Sequence, residues 1–162
     1  MLHGIHSIAR LRHILGEVGV VYMREHHSSR FVTPDVEGTV SGLFTLESGV
    51  HLSILHSCEL ELKGSTGGLW LHGSEGSIHA RDDGYVAYTD NSDKAPSLRA
   101  YRESTLSDYA MELAAYVDYI EDEKVGPTTG ISERRTLSIV QAGYETIESS
   151  EPIDLHSRFG EL

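Results

Sequence analysis

The first sixteen residues, Met1-Leu-His-Gly-Ile-His-Ser-Ile-Ala-Arg-Leu-Arg-His-Ile-Leu-Gly16, decide how the rest of the chain is interpreted. At about 100° per residue, a helix here gathers four apolar side chains on one side: Ile5, Ile8, Leu11 and Leu15. The opposite side carries cations and imidazoles and no carboxylate: His3, His6, Arg10 and His13. Gly16 stands where a left-handed residue would end the helix. The stretch therefore predicts an amphipathic helix that packs through its apolar side.

The basic side of this helix has two interpretations. Imidazoles and a guanidinium group suit an anionic or hydroxyl-bearing ligand, or a proton acceptor, because imidazole changes charge near neutral pH. A solvated helix face that happens to be rich in histidine explains the same pattern. The stretch alone leaves both open.

Length and charge bound the class of protein. The chain has 162 residues, 39% of them apolar and 23% charged, as in an ordinary soluble domain. We therefore assign residues 1–162 to a single domain. The formal net charge of −12 argues against a nucleic-acid or anionic-membrane partner. No apolar stretch approaches the length of a membrane span.

The lone cysteine and the amino terminus bear on the compartment. Cys58 cannot form an internal disulfide, which fits a reducing environment. It follows a strand-like run, where a buried, inert thiol is the common case. The chain begins directly in the amphipathic helix, without a signal-peptide pattern. We expect a cytoplasmic protein.

The middle of the chain has the pattern of strands joined by hairpins. Runs with β-type composition occur at 18–23, 38–45, 50–57, 69–71, 77–81 and 85–89. The turn sequences at 46–49 and 82–84 have the composition of hairpin connections. Hairpin connections predict a mainly antiparallel sheet.

Two further helices follow the strands. The first has an apolar stripe between Leu106 and Ile120, with Ser104 or Thr105 as its N-cap, and it stops at Gly126-Pro127. The second runs past Leu137 with Thr129 or Ser132 as its N-cap. Residues 152–155 should be extended, and the last residues should be frayed.

These elements predict an α+β fold, a mainly antiparallel (mixed) sheet with helices packed on one face. The other face stays open for oligomerisation. Its residues alternate polar and apolar, as Thr39, Ser41, Leu43, Thr45, His51, Ser53 and Leu55. Such a face suits a homo-oligomer formed through the sheet.

Several common site motifs are absent from the sequence. It has no G-x-G-x-x-G after a strand, no P-loop, no G-x-S-x-G and no zinc spacing of cysteines. The histidines other than those of the first helix lack the i, i+4 helical spacing of a metal pair. We therefore expect neither a nucleotide cradle nor a metal site.

Three segments resemble the Gfo/Idh/MocA oxidoreductases, in the same order along nearly the whole chain. The helix that begins Gly4-Ile5-His6 and ends Leu15-Gly16 is similar to that family's "G-x-H … L … L-G" helix. Residues 71–78, Leu-His-Gly-Ser-Glu-Gly-Ser-Ile, resemble its "G-T/S-E-G" strand turn. The segment that begins Pro127-Thr-Thr-Gly130 and continues through Ala142-Gly-Tyr144 to Ser149 and Pro152-Ile-Asp-Leu155 resembles its closing "P-x-x-x-G … A-x-Y-x-S" segment. The resemblance implies the family's C-terminal domain, which supplies the substrate pocket and the oligomer contacts.

The resemblance also implies a chemistry shared between two domains. In that family a preceding Rossmann domain binds NAD or NADP and carries a catalytic lysine, and this sequence lacks that domain. His6 stands at the position of the family's catalytic histidine. Leu2 replaces the acid one helical turn earlier, and Ser7 replaces the aspartate that often follows the histidine. His3 and Arg10 are the accompanying candidates for substrate binding.

Two functions remain open at this point. The chain is the substrate-binding and oligomerisation half of an NAD(P)-dependent sugar or polyol oxidoreductase, acting with a Rossmann domain or chain. Alternatively, it is a non-catalytic binding or oligomerisation module that retains the fold. We expect no cofactor on the isolated chain, and on its own we expect it to be inactive.

Overall fold

The computed structural model describes residues 4–27, 38–59, 67–81, 83–89, 96–101, 105–122, 126 and 128–162. Its helices are α1 (Gly4–Leu15), α2 (Asp108–Asp122), α3 (Gly130–Ser149) and α4 (Leu155–Phe159). Its strands are β1 (Val18–His26), β2 (Thr39–Leu46), β3 (His51–Ser57), β4 (Leu69–Gly73), β5 (Gly76–Arg81), β6 (Gly84–Tyr88), β7 (Arg99–Ala100) and β8 (Ile153–Asp154).

The chain divides into two compact units, and the assignment of residues 1–162 to one domain stays a prediction. The first unit comprises Met1–Leu60 and Tyr116–Leu162, and the second comprises Glu61–Ala115. Both contain antiparallel sheets, so the predicted α+β class is confirmed. In the first unit the strand order is β3-β2-β1-β8, and α3 and α4 contact β1.

The core of the first unit lies between β1, β2 and α3. Val21 and Met23 of β1 and Ala142 of α3 are fully buried, and Phe44 of β2 is 1% exposed. Gly143 permits the close approach of α3, because a Cβ atom there would lie 2.5 Å from the sulfur of Met23. Burial of these apolar side chains is the main stabilising term of this unit.

The strands form two sheets, whereas the sequence pattern predicted one. The second unit has its own sheet, with strand order β4-β5-β6-β7. Both predicted hairpins are confirmed, since β2 pairs with β3 and β5 pairs with β6. Local patterns fix which consecutive strands pair, but they do not fix which hairpins share a sheet. The free edge of β1 is taken by β8, more than a hundred residues later.

Helices α1 and α3 lie where the sequence predicts them, whereas α2 begins at Asp108, so Thr105 is not its N-cap, and the other predicted cap, Ser104, lies outside the described residues. Gly16 ends α1 with φ +100°, and Thr129 rather than Ser132 caps α3 by accepting a hydrogen bond from the Ser132 N–H. The end of the chain is not wholly frayed, because Asp154 caps the short helix α4. The sequence predicted that the apolar stripe of α2 would pack on a sheet, but side chains of this stripe are exposed. Tyr109 is 81% exposed and Leu113 is 65% exposed. The spacing of apolar residues predicts that a segment is helical, but it does not predict which element the helix packs against.

The predicted open face of the first sheet is confirmed on β2 and β3. Leu43 is 48% exposed and Leu55 70% exposed, while Val40 and Phe44 on the other face are buried. In register, Leu43 lies opposite Ser53, and Leu55 lies opposite Ser41. One face is therefore buried by helices, and the other presents alternating leucine and polar side chains.

Candidate functional site

Helix α1 presents its basic side chains as the sequence predicts. His6, Arg10 and His13 are exposed, and Ile8 is buried at 3% exposure. None of the three basic side chains forms a hydrogen bond or ion pair with another residue in the described part of the chain. His3, the remaining candidate on this face, lies outside the described residues.

Arg12 is the residue of α1 that the sequence interpretation missed. Its side chain is only 5% exposed. Its Nε and Nη2 atoms donate to the two carboxylate oxygens of Glu17 at 2.8 and 2.9 Å. Its Nη1 atom donates to the Ser132 carbonyl at 2.8 Å and to Thr136 Oγ1 at 2.6 Å. The guanidinium group therefore joins the end of α1 to the first turns of α3.

The Glu17 carboxylate also accepts a hydrogen bond from a second arginine, Arg135, which lies on α3. Arg135 Nη1 donates to Glu17 Oε1 at 3.0 Å, and Arg135 Nε donates to the Leu162 carbonyl at 2.8 Å. Partial burial raises the pKa of Glu17, but the hydrogen bonds and charges of the two arginines outweigh burial and leave this pKa below its ordinary value. Glu17 thus stays ionised in the folded protein at neutral pH.

The position of Arg12 in the helix could have indicated from the sequence that its side chain is buried. Residues 5, 8, 12 and 15 follow one another at steps of three and four, so Arg12 continues the apolar stripe rather than the basic one. A charged residue on a buried stripe requires a charged partner. Glu17, just after the helix, was the nearest acid in the sequence.

A cavity of about 460 Å³ lies between the second half of α1 and the first turn of α3. Its lining includes Arg10, His13, Arg12, Glu17 and Glu133. His6 is not part of this lining, although it lies one turn before Arg10 on the same helix. The predicted site residues are thus divided, with Arg10 in the cavity and His6 outside it.

A second cavity, of about 370 Å³, lies beside β1, α3 and the end of the chain. Glu17 and Arg135 line it together with Asp154 and Leu162. A hydrogen bond from the Ser157 N–H lowers the pKa of Asp154. The two arginines and Glu17 therefore separate two cavities of the same unit.

Cys58 is exposed, and the expectation of a buried thiol is wrong. The strand β3 ends at Ser57, so Cys58 has already left the sheet. Within the described ranges, no three His, Cys, Asp or Glu side chains are grouped as a metal site would require. None of the helices in the same ranges is long and apolar enough to cross a membrane.

Comparison with solved structures reveals the fold. An oxidoreductase from Agrobacterium radiobacter, solved with NAD⁺, L-tartaric acid and magnesium, aligns with a TM-score of 0.79 over 96% of this chain and 48% of that one, at 18% identity. An aldose–aldose oxidoreductase from Caulobacter crescentus, solved with glycerol, aligns with a TM-score of 0.77 over 93% and 45%, at 16% identity. Levoglucosan dehydrogenase with NADH and L-sorbose gives 0.74 over 93% and 48%, at 17% identity. No known sequence family and no curated protein matches the chain.

The fold is that of one half of these oxidoreductases. The chain spans about half the length of each solved structure that it matches, while nearly all of this chain is matched. The resemblance stated from the three sequence motifs is thus supported by an independent comparison of backbones. Identities of this size establish the fold and leave the activity to be proposed.

The described residues do not fit a dinucleotide. Both sheets are antiparallel throughout the regions that the structure covers, and none of their strands enters a β-α-β unit with a glycine-rich turn. A dinucleotide would require such a turn at a helix N-terminus to hold its pyrophosphate.

Proposed function

We propose that this chain is the substrate-binding and oligomerisation half of an NAD(P)-dependent oxidoreductase that acts on a sugar or polyol. The observation that carries the proposal is the match of nearly the whole chain to half of several oxidoreductases, among them proteins solved with NAD⁺ or NADH. The nicotinamide would come from a Rossmann domain or chain. The lone cysteine, which cannot form an internal disulfide, supports a cytoplasmic location.

His6 is the proposed catalytic residue, and Arg10 and His3 are proposed to contact the substrate. Oxidation of a carbinol requires a group that accepts the hydroxyl proton, and imidazole exchanges protons near neutral pH. The exposure of His6 and its lack of a partner in the described part of the chain leave the imidazole available to a substrate. Polyhydroxy compounds in three of the matched structures, namely L-tartaric acid, glycerol and L-sorbose, support the substrate class.

Reconstitution with the nucleotide-binding half would test this proposal. The chain would be expressed together with the coding region upstream of Met1, or with a separate Rossmann protein encoded beside it. Reduction of NAD⁺ or NADP⁺ would be measured with a panel of sugars and polyols. His6→Ala should lower kcat by about a hundredfold or more, the usual contribution of general acid–base catalysis. His72→Ala, which removes an exposed histidine from β4, is the matched control.

The isolated chain should not bind NADH or NADPH tightly, and fluorescence titration would measure this. Micromolar affinity would contradict the assignment of the dinucleotide to another domain. The alternative function, a non-catalytic module, is favoured by Leu2 at the position of the family's acid. Reconstituted protein that oligomerises normally but shows no turnover with any substrate would favour that alternative.

A further inference from the structure

We infer that helix α2 is the surface on which the nucleotide-binding half of the enzyme docks. The inference rests on the proposed function and adds to it the place where the two halves meet. It uses side chains of α2 (Asp108–Asp122) alone, and none of them belongs to the proposed substrate site on α1.

The large apolar side chains of α2 form one stripe along the helix. At about 100° per residue, five of them fall within a sector of about 100°, namely Tyr109, Leu113, Tyr116, Val117 and Ile120. The acids Asp108, Glu112, Asp118 and Glu121 lie outside this sector. This division of the helix surface is typical of a helix that packs through one side.

The stripe is nevertheless exposed to solvent. Its side chains range in exposure from 46% at Val117 to 81% at Tyr109, and the only described side chain of α2 that is not exposed is that of Ala110. A helix of fifteen residues is marginally stable in water unless its apolar side is packed. Contiguous apolar patches on a protein surface mark interaction sites. The stripe therefore requires a partner that covers it.

The charge of α2 argues against two kinds of partner. The helix contains no lysine, arginine or histidine, whereas helices that lie on anionic membranes carry such cations on their polar side. The α2 helix of a second copy is disfavoured as well, because Glu112 and Glu121 flank the stripe and would meet like charges there. The charge favours a protein groove that is apolar at its centre and has lysine or arginine at its rim.

The length of the matched oxidoreductases indicates which partner supplies this groove. Nearly all of this chain aligns with 48% of the Agrobacterium radiobacter protein and 45% of the Caulobacter crescentus protein, so more than half of each lies outside the match. A nucleotide-binding half of that size needs a surface of this chain to hold it. The open face of the first sheet carries no carboxylate and suits a second copy. The stripe of α2 is thus left for the nucleotide-binding half.

Amide hydrogen exchange, compared between the chain alone and the protein reconstituted with its nucleotide-binding half, would test this docking. Amides of residues 109–120 should exchange rapidly in the chain alone, because an unpacked helix opens readily. In the reconstituted protein they should exchange about a hundredfold more slowly. The amides of Ile139 and Ala142, in the buried part of α3, should be protected in both samples and serve as the internal control.

Two variants that introduce the same side chain show whether the stripe makes the contact. Leu113→Asp places a carboxylate within the stripe and should return α2 to rapid exchange in the reconstituted protein. Met111→Asp lies on the opposite side of the same helix and should leave the protection of α2 unchanged. Equal exchange rates in the two variants, whether fast or slow, would overturn the inference.

The exchange experiment and the oxidoreductase assay fail independently of each other. Rapid exchange of α2 in a reconstituted protein that reduces NAD⁺ or NADP⁺ would overturn the docking and leave the proposed function intact. Slow exchange of α2 in the chain alone would also overturn the docking, because this chain or a second copy would then cover the stripe. Protection of α2 in a reconstituted protein without turnover would support the docking and count against the proposed activity.

Discussion

Single residues of α1 have opposite roles although they are neighbours in sequence. Arg10 is exposed and has no partner among the residues described, whereas Arg12 is buried and has four hydrogen bonds. Removing one member of a buried ion pair leaves the other without compensation, which is more costly than losing a surface charge. Substitutions of Arg12 and of Arg10 can therefore be compared to distinguish a loss of stability from a loss of ligand binding.

Arg12→Ala should lower the free energy of unfolding by about 3 kcal/mol, because it frees Glu17 and leaves polar groups of α3 without a donor. Arg10→Ala should change it by less than about 0.5 kcal/mol, as is usual for an exposed side chain. Urea unfolding of both variants would measure the difference. Equal midpoints would show that the network of Arg12 contributes little to stability.

The lowered pKa of Glu17 predicts a loss of stability in acid. A carboxyl group whose pKa is lower in the folded state stabilises the protein above its unfolded value, here 4.5, and this contribution disappears as the pH falls through the folded value. Glu17→Gln should therefore be less stable than the parent at neutral pH and should lose less stability below about pH 4.5. Unfolding followed from neutral to acidic pH would reveal this. Glu148→Gln, on the exposed part of α3, should retain the parent's pH profile.

At the scale of elements, a hydrogen bond joins β1 to α3 along the edge of β1 that β8 covers only in part. Strand β8 pairs only with Val20 and Val21 of β1. Beyond it, the Met23 N–H donates to Thr146 Oγ1 of α3 at 2.9 Å, and this hydroxyl donates to the Gly143 carbonyl at 2.7 Å. A helix side chain thus satisfies a buried strand donor that would otherwise have no acceptor.

Thr146→Val should lower the free energy of unfolding by about 1 to 3 kcal/mol, because it keeps the shape of the side chain and leaves the Met23 N–H buried without an acceptor. Thr146→Ser retains the hydroxyl and is the control. Amide hydrogen exchange of Met23 should become faster in the valine variant only. Unchanged exchange in that variant would contradict the assigned hydrogen bond.

Elements could be predicted from the sequence where the evidence is local. The periodicity of α1, the turn composition at 46–49 and the cap at Thr129 each lie within a few residues of the structure that they specify. Partners distant in the chain could not be predicted in the same way. The pairing of β8 with β1 and of Arg12 with Ser132 depends on tertiary packing, which no short pattern encodes. The buried network of Arg12 was therefore missed, and the roles of His6, His3 and Arg10 stay predictions.

For the whole molecule, the open face of the first sheet is unusual for such an acidic protein. Its β2 and β3 residues are Thr39, Ser41, Leu43, Thr45, His51, Ser53, Leu55 and Ser57, and none of them is a carboxylate. Depletion of charge together with exposed leucines is typical of the centre of a protein interface. A second copy of the chain is the partner that we propose, because a two-fold axis would set this face against itself.

Light scattering after gel filtration would test this assembly. The parent chain should be a dimer or tetramer at tens of micromolar, and Leu43→Glu or Leu55→Glu should yield monomers, because each would bury a carboxylate in a desolvated apolar contact. Leu137→Glu, at an exposed leucine of α3, should leave the assembly intact. Added salt should strengthen association, since it screens the repulsion between two chains of net charge −12. A parent chain that is monomeric at these concentrations would contradict the proposed interface. If Leu137→Glu alone disrupted the assembly, the interface would instead involve the helices of this unit.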